Sequence, residues 1–143
     1  MSPDLSSRKW EIPTVLVGRL IFAAIFIMAV GFKLVDIGAT ASYIAAAGFP
    51  LANVLAWLAV IFELAVIACL LTGAYFAEGA LLAAAYVLFL GFAFHGPSRW
   101  AENQAEFGFF VDHFAFVAGL LFAAAHGPGR VWALKRGLLA ERR

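Results

Sequence analysis

Four long apolar stretches separated by short polar intervals organise the chain, at about 13–32, 52–72, 75–94 and 107–125. Each approaches the roughly 20 apolar residues that a helix needs to cross a hydrocarbon core about 30 Å thick. The intervals carry helix-stopping chemistry. Gly48-Phe49-Pro50 precedes the second stretch and Gly73 closes it, His95-Gly96-Pro97-Ser98-Arg99 breaks the third, and Gly127-Pro128-Gly129 ends the fourth. Pro13 suits a first helical turn, where its missing N–H is not needed. Residues 40–47 read as a short helix lying in the interface between spans one and two. The pattern predicts an all-α fold, an integral membrane four-helix bundle in one domain over 1–143. The very short turn at Gly73 makes spans two and three antiparallel neighbours.

Composition strengthens this reading. The chain is 64% hydrophobic and 13% charged, and its mean hydropathy of +0.93 exceeds what a water-soluble core of this size requires. A net charge of +1 offers no basic face for nucleic acid. Cys69 is the single cysteine, so one chain cannot build an intrachain disulfide, a CxxC relay or a thiolate metal site. No haem, flavin, nicotinamide or iron–sulfur motif is present. The first apolar stretch contains Arg19 and runs too far for a cleaved signal, so it reads as a retained span.

The placement of charge gives an orientation. Arg8 and Lys9 precede span one, and Arg130, Lys135, Arg136, Arg142 and Arg143 follow span four, while Lys33 and Arg99 stand alone on the other side. The positive-inside rule then puts both termini in the cytoplasm, as an even number of spans requires. Trp10 and Trp132 fall at the inner interface and Trp100 at the outer one. From Arg130 onward, basic residues alternate with Val131, Trp132, Leu134, Leu138 and Leu139, predicting an amphipathic helix on the anionic lipids of the inner leaflet.

Arg19 and Glu63 are the charges within the spans that most need partners, because an ionised side chain facing lipid costs several kcal/mol. Arg19 sits about 9 Å inside span one at 1.5 Å per residue, and Glu63 lies near the middle of span two. Their antiparallel arrangement predicts an intramembrane Arg19–Glu63 ion pair, serving either helix register or a proton or ligand site. Glu78 opens span three on the inner side, near a helix N-terminus.

In the outer half, Lys33, His95, Asp112 and His113 converge in depth as a candidate ligand or quinone pocket, with Asp36 nearby. Two imidazoles can hydrogen-bond a quinone carbonyl or pass protons. His95, Asp112 and His113 are also the only metal-ligand candidates, but their spacing is no metal motif and adjacent helical residues diverge by about 100°, so no metal is expected. Ala115, Gly119 and Ala123, like Gly79 and Ala83, form small-residue stripes suited to close helix packing within the bundle or to a homo-oligomer.

Together these residues resemble the DoxX family of small four-helix bacterial and archaeal membrane proteins. Gly18-Arg19, Phe26, Gly31, Lys33-Leu34, Gly38-Ala39-Thr40-Ala41-Ser42-Tyr43 and Gly48-Phe49-Pro50 are similar to its opening block in order and spacing. Glu63, Gly73, Phe94-His95 and Gly127-Pro128-Gly129 are similar to its later landmarks. Members commonly carry a Lys-Asn pair in the last span, where this chain has Asp112-His113. The resemblance implies a multi-pass protein of the bacterial inner membrane, linked to quinol- and thiosulfate-dependent respiratory oxidation. The first functional expectation is therefore an accessory or subunit of a quinone-linked redox system, without catalytic activity of its own, contacting quinone and redox partner subunits. The alternatives are a non-catalytic membrane assembly or interaction protein and a small proton-coupled carrier.

Overall fold

The computed structural model describes residues 9–140. Among them the chain forms five α-helices and no strand: α1 (Glu11–Val35), α2 (Ile37–Ala46), α3 (Ala52–Thr72), α4 (Phe76–His95) and α5 (Gln104–His126), with a 3-10 turn at Pro97–Arg99 between the last two. Helices are what a lipid-embedded chain requires, since every backbone polar group must be bonded within the segment. Four of them, all but α2, are long and apolar enough to cross a membrane. Both described chain ends meet at one end of the bundle, where Glu11 and His126 touch, so that end is called the near end and the opposite one the far end.

Helices α1 and α3 pack together, α3 packs against α4, and α4 against α5. Helix α2 lies against α3 at the far end, and the Asp36 side chain caps its start by accepting from the Ala39 N–H at 2.8 Å. Asp36 is thus a helix cap. The main core gathers Ala23, Phe26, Val30, Val60, Val66, Ile67, Leu70, Phe76, Ala83, Ala84, Val87 and Leu120. A smaller one joins α2 to α3 and α4 through Ala41, Ile44, Ala56 and Phe94, with Tyr43 stacked on Phe94. Helix α5 buries only Leu120, so most of its surface faces outward.

Small residues set the closest helix approaches. A Cβ on Gly79 would lie 2.7 Å from the Cβ of Cys69 on α3, and one on Gly119 would lie 2.8 Å from the ring tip of Phe22 on α1. Gly79 and Gly119 therefore serve packing within the chain. Gly79→Ala is expected to cost about 1–3 kcal/mol by overpacking, read as a lower thermal midpoint in detergent. Gly31→Ala, where a Cβ meets nothing, should leave the midpoint unchanged or raised.

The segment after α5 corrects the amphipathic-helix expectation for 130–143. The described part, through Ala140, is an irregular strap folded across the near end. Its Leu134 N–H donates to Thr72 O, the Tyr75 N–H donates to Arg136 O, and the Leu139 N–H donates to the Glu78 carboxylate. The cause is the demand for partners at the α3–α4 turn. Of the carbonyls that end α3, Thr72 O takes the strap's Leu134 N–H, and the strap's Arg136 O takes the Tyr75 N–H, groups that a helical strap would have used on itself. Gly73 permits this seal, with φ +75° at the end of α3 and the strap's Ala133 Cα 2.9 Å from where a Cβ would stand. Arg8, Arg142 and Arg143 lie outside the described residues.

Candidate functional site

Two intramembrane charges occupy two separate networks, and the expected Arg19–Glu63 pair does not form. Arg19 is buried, 4% exposed, and its guanidinium uses all five N–H groups on backbone carbonyls. Nε donates to Leu70 O at 3.1 Å, one terminal nitrogen to Pro128 O and Val131 O at 2.8 Å each, and the other to Leu71 O and Trp132 O at 3.0 Å each. Phe76 places its ring face 5.7 Å from the guanidinium carbon. The positive charge therefore sits at the C-terminal end of α3, where the helix dipole is negative. No sequence spacing advertises carbonyl acceptors, which explains why a carboxylate seemed the natural partner.

Glu63, 2% exposed at mid-depth of α3, is bonded from two other helices. Lys33 reaches down from the far end of α1 to put its Nζ 2.9 Å from one carboxylate oxygen and 3.0 Å from the other. The Tyr86 hydroxyl on α4 donates to Oε1 at 2.9 Å. One carboxylate thus ties α1, α3 and α4 together. The long Lys stem makes this possible, since its apolar methylenes pack while the ammonium travels inward. Tyr86 was readable only as a phenol in mid-span needing a partner.

The candidate pocket of Lys33, His95, Asp112 and His113 is brought together only in part. Lys33 is committed to Glu63, and Asp112 is exposed on α5 with no bond to either imidazole among the described residues. Adjacent helical residues diverge, so Asp112 and His113 cannot share one direction. His95 and His113 do meet, with ring centroids 5.1 Å apart. Gly91 makes room, as a Cβ there would stand 3.1 Å from that of His113.

Each imidazole is held through Nδ1. His95 Nδ1 lies 2.6 Å from Glu106 Oε2, and His113 Nδ1 lies 2.7 Å from the Phe109 carbonyl. A carbonyl and an ionised carboxylate can only accept, so each Nδ1 carries the proton and donates. In the neutral rings both Nε2 atoms are then bare acceptors, and neither makes a hydrogen bond among the described residues. Phe109 lies 5.4 Å from the His95 ring, and Trp100, Phe107, Phe110, Phe92 and Phe114 form an aromatic cluster beside it. Glu106 was missed from sequence because it reads as part of a polar loop. Its position in the first turn of α5 brings it back over His95. Among the described residues, no group of three or more His, Cys, Asp or Glu side chains converges as metal ligands.

Four long apolar helices with internally bonded charges define a multi-pass helical membrane protein. The family model for DoxX matches residues 14–96, more than half of the chain, and the chain belongs to the DoxX family. The matched stretch holds Arg19, Lys33, Glu63, Tyr86 and His95, whereas α5 and the strap follow it. Neither a curated protein nor a solved structure matches the chain.

Proposed function

We propose that this protein is an accessory subunit of a quinone-linked redox system in the bacterial inner membrane, offering a hydrogen-bonding site for a quinol head at the far end of α4 and α5. The observation that supports it is the His95–Glu106 contact at 2.6 Å beside the His113 ring. A bound quinol supplies two electrons and two protons when it is oxidised. His95 Nε2 accepts a hydrogen bond from a hydroxyl, Glu106 fixes the tautomer that leaves this nitrogen bare, and His113 offers a second acceptor. The neighbouring aromatic rings suit a flat, apolar-edged head. Electrons leave through a partner subunit, because the chain carries no redox motif of its own.

The reading also carries an orientation. Lys9, Arg130, Lys135 and Arg136 gather at the near end, which supports a cytoplasmic near end with His95 and His113 on the outer side.

A thermal-shift assay of the detergent-solubilised protein against a short-chain quinol tests this. Stabilisation by several degrees is expected, lost in both His95→Ala and His113→Ala. No shift, or a shift that persists in both variants, overturns the proposal. It would pass the function to a non-catalytic membrane assembly protein, a reading favoured by the complete internal bonding of Arg19 and Glu63 and by the largely uncovered α5. The same separation of Arg19 from Glu63 favours a fixed scaffold over a proton-coupled carrier.

A further inference from the structure

Helices α1 and α5 touch at two levels and part between them. At the near end Glu11 Oε1 lies 2.7 Å from His126 Nε2, and deeper in the bundle Phe22 and Phe26 pack on Phe116. Between these contacts open two adjoining hollows of about 370 and 210 Å³ that share Val15 and His126. Arg19 and Phe76 form the inner wall, and Phe122, 77% exposed, flanks the opening. Gly18 contributes no side chain, and a Cβ there would meet nothing within 4 Å. Most of the surface that lines the cleft is apolar, with Glu11, Thr14 and His126 at its near end.

Basic residues stand next to the cleft along the chain. Lys9 precedes Trp10, which lines the first hollow, and Arg130 follows Gly129, where a Cβ would stand 3.0 Å from Val15 Cγ1. Lys135 and Arg136 lie on the strap at the same end. The opposing carboxylates are Glu11, held by His126, and Glu78, accepting from Leu139. Arg19 adds positive charge behind the cleft, though its N–H groups are all committed. Trp10 and Trp132, 66% and 73% exposed, set this end at the headgroup level.

We propose that this cleft binds one anionic glycerophospholipid, with an acyl chain between α1 and α5 and the phosphate at Lys9 and Arg130. A mainly apolar slot takes a hydrocarbon chain at little desolvation cost, and the cations select the headgroup. The site is remote from His95 and His113 and independent of what they bind.

Native mass spectrometry of the delipidated full chain, titrated with phosphatidylglycerol or phosphatidylcholine, tests the proposal. The unsubstituted protein is expected to take up one saturable phosphatidylglycerol, roughly tenfold more tightly than phosphatidylcholine. Gly18→Leu fills the cleft and should lose the adduct with both lipids. Thr14→Trp, at an exposed rim position, should do the same and serves if Gly18→Leu fails to fold. Lys9→Gln with Arg130→Gln should keep the adduct but lose the preference. Equal binding of both lipids by the unsubstituted protein, absence of a saturable adduct, or an adduct that survives the filling substitution overturns the proposal.

Discussion

Arg19→Leu is expected to lower the stability of the protein in detergent by about 3–5 kcal/mol, because it strips five backbone carbonyls of their donors at once. Those carbonyls belong to two segments that nothing else joins as tightly, the end of α3 and the strap after α5. The loss should therefore appear as release of the strap as well as a lower thermal midpoint, and limited proteolysis after Gly127 would report it. Arg19→Lys keeps the charge but has three donors on a flexible stem instead of a planar fork with five. It should recover less than half of the loss. A midpoint unchanged by Arg19→Leu would mean that the strap is held by its bonds to Thr72, Tyr75 and Glu78.

Glu63→Ala is the second large effect. It leaves the Lys33 ammonium without its counter-ion and the Tyr86 hydroxyl without its acceptor at mid-depth in the bundle, for an expected loss of about 3–5 kcal/mol. The sign of the remedy follows from the same argument. In a Lys33→Met background the charge to be compensated is gone, so Glu63→Ala should cost only about 1–2 kcal/mol, the share of the Tyr86 bond and the lost packing. Thermal melts of the four proteins check this. An undiminished loss in the Lys33→Met background would show that Lys33 does not hold the carboxylate.

Much of the architecture was legible because hydrocarbon is an exacting solvent. Apolar runs of about 20 residues, stopped by Gly73, Gly96-Pro97 and Gly127-Pro128-Gly129, have few alternatives to spanning helices. The sequence also revealed that Arg19 and Glu63 needed partners, since burial of either charge is costly. It could not reveal which partners, for two physical reasons. Backbone carbonyls carry no residue-type signature, so the cradle around Arg19 left no trace in composition. Lys33 lies near the far end of α1, and only its flexible stem carries the ammonium down to Glu63. The strap was misread for a related reason. Its alternation of basic and apolar residues suits an amphipathic helix, but the open carbonyls and N–H groups at the α3–α4 turn compete for its backbone and win.

At the far end, the pairing of His95 with His113 followed from equal depth in neighbouring spans. The orienting Glu106 did not, because a loop had to return one turn of α5 over the imidazole. Asp112 fell away for the opposite reason. Sharing a depth is not sharing a face, and helical geometry separates it from its neighbour.

The two buried charges belong to separate networks, and a double-mutant cycle on detergent-solubilised protein measures that separation. Seven residues along α3 separate Glu63 from the Leu70 carbonyl that Arg19 engages, about 10 Å of helix. The losses from Arg19→Leu and Glu63→Ala should then add within about 0.5 kcal/mol, whereas Lys33→Met and Glu63→Ala should couple by more than about 1 kcal/mol. Strong coupling between Arg19 and Glu63, with none between Lys33 and Glu63, would mean that the two charges form one pair.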